Sequence, residues 1–184
     1  MLASAITQSA KATPYSFNLL FKRYLASENI ITAEDPIHKV DLRVGKIIDI
    51  NNHPEATHLY IEKVDLSAEQ ADSRTIDRNV IVVSNLKASK FRGVLSQGML
   101  LAASLENKVE TLSPPSTATL GERVQLEGIT LGEAVDVLKP KQKILEQVVQ
   151  YLKTNQNGIA TYKGIPLVTS QGPVSCDIKQ GQIS

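Results

Sequence analysis

Near-alternation of apolar and polar residues is the first pattern along the chain. Val40, Leu42, Val44, Ile47 and Ile48 are apolar among polar neighbours, which predicts a long, bent strand over 40–50 with Gly45 as its bulge. Asn51-Asn52-His53-Pro54 predicts a turn, and the looser alternation of Leu59, Ile61, Val64 and Leu66 predicts a second strand paired with the first. After a polar stretch from 67 to 79, the compact β-branched run 80–83 predicts another strand. Residues 99–103, 109–112 and 123–126 predict shorter ones, with Pro114-Pro115 and Gly121 between the last two. Short strands with turn signals at this spacing predict a small all-β barrel. The period changes from 2 to 3.6 in two places. Ile144, Leu145, Val148, Val149 and Leu152 predict a helix over 141–152 that stops at 155–158. Phe17, Leu20, Phe21, Tyr24 and Leu25 predict an amphipathic helix over 16–27.

Charge adds a reading of the N-terminus. Residues 1–27 carry Lys11, Lys22 and Arg23 and no carboxylate. A basic, acid-poor, amphipathic segment reads as a mitochondrial presequence; the alternatives are a disordered leader and a short helix packed on the domain. Asp35-Pro36 marks a boundary, dividing the chain into a leader (1–35), a barrel (36–138) and a C-terminal extension (139–184). A cytoplasmic location is expected, with the mitochondrion as the alternative that the leader raises.

Across the whole chain, 20 Lys plus Arg stand against 19 Asp plus Glu, a net charge of +1. This excludes a globally basic nucleic-acid binder, so any polyanion site must be local. One such stretch is 79–105, with Lys87, Lys90 and Arg92 and no carboxylate. A second is 139–163, with Lys139, Lys141, Lys143, Lys153 and Lys163 against Glu146 alone. A basic loop suits phosphate contacts through counterion release, and Phe91 or Tyr60 is placed to stack an unpaired base. The competing reading is a solvated loop and a lysine-rich helix start. The single Cys176 provides neither a disulfide framework nor a thiolate metal cluster. No apolar run reaches the length of a membrane span, so no membrane partner is expected.

Several ordered motifs go further. Val40-Asp41-Leu42-Arg43-Val44-Gly45-Lys46-Ile47, His53-Pro54-Glu55-Ala56, Leu59-Tyr60, Asn85-Leu86-Lys87, Lys90-Phe91-Arg92-Gly93-Val94, Ser96-Gln97-Gly98-Met99, Pro114-Pro115 and Gly121 occur in that order. Together they resemble the tRNA-binding domain family typified by endothelial monocyte-activating polypeptide II. The same domain is appended to some methionyl- and tyrosyl-tRNA synthetases and occurs in the yeast cofactor of methionyl- and glutamyl-tRNA synthetases. The segments 139–146, 152–155 and 160–164 further resemble the eukaryotic C-terminal extension. The resemblance implies an all-β OB-fold barrel, with an extension containing a helix and short strands that packs on it. It also implies tRNA binding through backbone and shape, and presentation of tRNA to a methionyl-, glutamyl- or tyrosyl-type synthetase. On that resemblance the tRNA-binding residues are Lys87, Lys90, Arg92, Lys139, Lys141 and Lys143, with Ser96 and Gln97 hydrogen-bonding in the groove. Lys46 and Asn85 are weaker candidates. Arg43 is equally explained by an ion pair with Asp41 or Asp65.

The chain departs from that family at the N-terminus, where the yeast cofactor carries a partner-binding domain and only a leader is expected here, and in the barrel. Relatives carry a third barrel strand and a short helix between an Arg-Thr like Arg74-Thr75 and a strand like 80–83. Here Ile76-Asp77-Arg78-Asn79 is all that joins them, too short for either element. The third barrel strand is missing or replaced: another segment fills the gap, the barrel is open, or coding sequence has been omitted. Enzyme chemistry finds no footing. Lys87-Ala88-Ser89-Lys90-Phe91 resembles the signature loop of class I synthetases only superficially, because the partner motif of that fold is absent. His38, His53 and His58 have no metal-ligand spacing, and there is no phosphate loop or nucleophile elbow. No catalytic residue, metal or cofactor is expected. The rival expectation is a scaffold of a synthetase complex, or a cytokine-like protein with weak tRNA binding.

Overall fold

The computed structural model describes residues 31–54, 56–67 and 78–184; the helix expected over 16–27, with its presequence reading, lies outside them. Residues 32–184 form one compact unit. It opens at Asp35, whose carboxylate accepts the Ile37 amide at 3.1 Å and caps a single 3-10 turn, Pro36–Lys39.

Strand β1 (Leu42–His53) pairs antiparallel with β2 (Ala56–Asp65), Lys46 opposite Asp65 and Asn52 opposite Tyr60. On its other edge β1 carries β3 (Arg78–Val83), Leu42 opposite Val83. A two-residue hairpin follows, β4 (Ser89–Phe91) and β5 (Val94–Ser96), and then β6 (Met99–Leu100) returns to β3. The sheet order is β2-β1-β3-β6. Residues 121–124 bracket the first half of β1 from the side away from β3. The Val44 amide donates to the Glu122 carbonyl at 2.9 Å and the Val124 amide to the Leu42 carbonyl at 2.8 Å. Val80, Ile81, Val82 and Val83 are all buried, as a strand covered on both faces requires, which is why this run shows no alternation. Val80 and Val82 join Ile47 in a core cluster against which Val64, Leu66 and Leu100 pack.

The second sheet starts from β7 (Ala102–Leu105), β8 (Lys108–Thr111) and β9 (Gln125–Leu126). Helix α1 (Ile144–Val149) then leads into β10 (Leu152–Thr154), β11 (Ala160–Tyr162), β12 (Ile165–Thr169), β13 (Gly172–Pro173) and β14 (Gln182–Ile183). Their order is β13-β12-β11-β10-β14-β7-β8, with β9 on β12. The last strand of the chain therefore lies between extension and barrel, Gln182 opposite both Lys153 and Ser104.

Three sequence expectations need correction. Gly45 is not a bulge: it pairs regularly with Val80, and the register shifts fall between Ile47 and Asp49 and between Asn52 and His53. What Gly45 supplies is close approach, since a Cβ there would sit 2.5 Å from Val64 Cγ1 and 2.9 Å from Leu66 Cδ2. Strand β1 also runs through the expected turn at Asn51–His53, because those residues still find partners on β2. The helix over 141–152 is really a 3-10 turn, Pro140–Gln142, a left-handed Lys143 and a six-residue α1. Leu152 is fully buried, but as the first residue of β10. The expected stop at 155–158 is a β-hairpin loop, in which the Asn155 carboxamide oxygen accepts the Asn157 and Ile159 amides at 2.8 and 3.0 Å. Among the described residues no strand pairs with the outer edge of β2; most of the segment expected to be shortened, 74–79, lies outside them.

Candidate nucleic-acid interface

The two basic stretches that the sequence keeps far apart meet in space. Leu86 and Leu138 form a parallel bridge, and the Leu138 amide donates to the Asn85 carbonyl at 2.8 Å. Lys87 and Lys139 follow directly on the two sides of that bridge, and both are exposed. Lys141, in the 3-10 turn, and Lys143, at the start of α1 with φ 49°, are exposed as well. Neither 85–98 nor 139–145 contains a carboxylate.

The β4–β5 hairpin extends this basic surface. Its two loop residues, Arg92 and Gly93, have φ of 45° and 86°. Positive φ at both positions is the type I′ signature that matches the twist of a two-residue hairpin. Glycine adopts it freely, whereas Arg92 does so at some cost and sits exposed at the tip. Lys90 is exposed on β4 opposite Leu95, and Phe91 lies opposite Val94.

The remaining candidates divide by environment. Tyr60 (65% exposed), Ser96 and Gln97 line a groove of about 850 Å³ on the open side of the barrel, floored by Val64 and Val82. Asp49 and Glu62 line it too, against Lys63 alone, and this net negative lining disfavours phosphate there. The Ser96 hydroxyl donates to the Gly98 carbonyl at 3.1 Å and so shapes the turn into β6. Asn85 is buried and its carboxamide is committed to the fold. It donates to the Lys39 and Val135 carbonyls at 2.9 and 2.7 Å and accepts the Asp41 amide at 3.1 Å. Lys46 is half-buried in the middle of β1, away from the bridge. Arg43 pairs with Asp41 at 2.7 Å and donates to the Gly121 carbonyl at 2.8 Å, holding 121–124 against β1.

Behind the basic surface lies a network that pattern reading missed, because Asp35-Pro36 looked only like a boundary. Tyr162 is fully buried and its hydroxyl donates to Asp35 Oδ1 at 2.7 Å; Lys163 Nζ donates to Asp35 Oδ2 at 2.6 Å. Burial alone would push the Asp35 carboxyl up. Hydrogen bonds from Lys163, the Ile37 amide and Tyr162, together with the Lys163 charge, outweigh it and hold the group below its ordinary value. Burial, then Asp35, pushes the Tyr162 hydroxyl far up, so it remains a donor. Burial likewise pushes the Cys176 thiol up, which suits packing rather than reactivity. Among the described residues no helix is long and apolar enough to cross a membrane, and no cluster of His, Cys, Asp and Glu has metal-site composition.

Residues 42–123 match the family model described as "Putative tRNA binding domain". Over 162 residues the chain is 39% identical to the cytoplasmic tyrosine–tRNA ligase of Danio rerio, covering 79% of this chain and 31% of that protein. It is 41% identical over 150 residues to the cytoplasmic methionine–tRNA ligase of Arabidopsis thaliana (73% of this chain, 18% of that one). With the aminoacyl tRNA synthase complex-interacting multifunctional protein 1 of Cricetulus griseus it shares 39% identity over 144 residues (71% and 39%). The chain thus spans well under half the length of these curated relatives. The crystal structure of the C-terminal domain of Plasmodium vivax p43 superposes with a TM-score of 0.73 at 28% identity, covering 82% of this chain and 99% of that domain. The matched segment 42–123, which carries most of the OB-like barrel, is thus a domain of the tRNA-binding family.

Proposed function

We propose that this chain is a non-catalytic tRNA-binding accessory module that holds tRNA by its backbone and presents it to an aminoacyl-tRNA synthetase. One observation carries the proposal: the Leu86–Leu138 bridge joins two carboxylate-free basic segments into a single exposed surface on a barrel of this family. Lys87, Lys90, Arg92, Lys139, Lys141 and Lys143 are the phosphate contacts, and Ser96 and Gln97 reach 2′-hydroxyl and backbone oxygens from the groove edge. Asn85 supports this surface from beneath and does not touch the ligand. The tyrosyl- and methionyl-type relatives point to a synthetase of those classes as the partner, and their cytoplasmic names to that compartment.

Salt dependence tests the assignment. The logarithm of tRNA affinity should fall linearly with the logarithm of salt concentration, by about 0.7 to 0.9 per phosphate neutralised. Replacing Lys87, Lys90 and Arg92 together by alanine should flatten that slope by about two to three phosphates' worth; an unchanged slope overturns the site. A scaffold role is favoured by the complex-interacting relative. It predicts instead synthetase capture that survives nuclease treatment together with negligible affinity for total tRNA.

A further inference from the structure

The basic extension carries one large exposed aromatic residue, Tyr151, between α1 and β10. The residue is 47% exposed, yet its ring is held from behind. Lys163 Nζ lies 5.1 Å from the ring centroid, and the buried Tyr162 ring meets it edge-on at 6.1 Å and 87°. Both supports are anchored on Asp35. The backbone is fixed as well: the Tyr151 amide donates to the Val148 carbonyl at 3.0 Å, and the Lys163 amide to the Tyr151 carbonyl at 3.1 Å. A ring immobilised in this way has already lost the freedom that binding would otherwise take from it.

We propose that Tyr151 is the stacking platform for an unpaired base of the bound RNA, a role that rests on the tRNA-binding function proposed above. Lys163 is neutralised by Asp35 at 2.6 Å, so its part is to hold the ring by a cation–π contact rather than to bind phosphate. Phosphate contacts flanking the base come from exposed Lys153, two residues further along, and Lys143, at the other end of α1. Glu146 is the sole carboxylate between Lys139 and Lys163. Among the described residues the other exposed tyrosine is Tyr60, whose groove carries Asp49 and Glu62 against Lys63 alone, a net negative lining that disfavours the phosphates either side of a stacked base. Charge complementarity therefore selects Tyr151. Stacking needs a π face and no particular base edge, so the subsite takes any unpaired nucleotide and discriminates against blunt duplex.

The chain contains no tryptophan, so Tyr151→Trp in the full chain supplies a single indole reporter. Its emission should be quenched by tRNA and by a short single-stranded RNA, and not by a blunt RNA duplex of equal length. Tyr151→Leu should weaken tRNA binding about five- to tenfold, whereas Tyr151→Phe, which keeps the ring, should bind like the parent. Melting curves confirm that the variants are folded. The stacking role is overturned if the parent binds tRNA but the indole is not quenched. Equal losses in the Leu and Phe variants also overturn it, as they would assign the effect to the hydroxyl. Quenching by a synthetase but not by RNA overturns it in favour of a protein contact. Absence of tRNA binding by the parent chain is a separate result that removes the proposed function itself.

Discussion

The two larger sheets among the described residues bury their strands in opposite ways. The eight-stranded sheet is closed over by its own connections: β14 is inserted between β10 and β7, and the Asp35 carboxylate is tied to Tyr162 and Lys163. The four-stranded sheet ends on β2, whose outer edge has no partner among the described residues, and a groove of about 850 Å³ opens over Val64 and Val82. Sequence length alone does not make a core. The extension is tied in by contacts spanning the whole unit, whereas the outer edge of β2 has no strand partner among the described residues. The two basic segments meet at the Leu86–Leu138 bridge, outside both of these sheets.

The sharpest way to break this comparison is to cut the network that ties the rigid half together. Asp35→Ala leaves the Lys163 ammonium and the Tyr162 hydroxyl without their acceptor. Removing one partner of a buried pair costs about 3–5 kcal/mol, and Lys163 retains 21% side-chain exposure, so a loss of about 2–4 kcal/mol is expected in denaturant melts. A loss below about 0.5 kcal/mol, typical of an indifferent surface site, would mean that the extension is no more firmly closed than the barrel.

A single methyl group probes the two halves in the same way. At Gly181 an added Cβ would lie 2.6 Å from Ile178 Cγ2 and 2.9 Å from the Ser104 carbonyl oxygen, and backbone does not yield. At Gly45 it would meet only side-chain carbons of Val64, Leu66 and Val82, all three of which border the open groove. Overpacking costs about 1–3 kcal/mol. Gly181→Ala should fall at the upper end of that range and Gly45→Ala near 1 kcal/mol. The reverse order in chemical denaturation would show the barrel side to be packed and the extension to be yielding.

The difference between the halves also explains what was legible in the sequence. Residues 80–83 and the first half of β1 announced themselves because burial on both faces, or on one, leaves a direct mark on residue type. Arg43 could be read as structural for the same kind of reason, with an aspartate two positions away. The β4–β5 hairpin left no alternation, since its residues are mostly exposed and polar, and only the Arg92-Gly93 turn betrays it. The helix was drawn too long because Ile144, Val148 and Leu152 satisfy helical spacing while burial at Leu152 is served equally well by β10. For the interface, composition showed two basic segments. Their union depends on a parallel pair between Leu86 and Leu138, which no local pattern encodes. Asp35 was hidden for a related reason: Asp-Pro is a turn signal everywhere, and its partners lie at the other end of the chain.

Acid gives the smallest effect and the finest distinction between the halves, through two carboxylates held below the ordinary value of 3.8. Each binds a proton more weakly in the folded chain than in a free carboxylate. The stability each contributes is therefore fully present above that ordinary value and is lost as pH falls through the lower folded value. Asp35 owes its shift to Tyr162 and Lys163, contacts that vanish on unfolding. Asp65, at the end of β2, owes its shift to the amide and hydroxyl of Ser67, two residues away, at 2.9 and 2.7 Å. So local a turn persists in part in the unfolded chain, and whatever persists cancels from the folding equilibrium. Melts from pH 6 down to pH 2 should therefore show Asp35→Asn losing part of the acid dependence of the parent, while Asp65→Asn nearly retains it. Equal changes in the two variants would mean that the β2 end is held by the fold as firmly as the extension, and the contrast between an open and a closed half would fail.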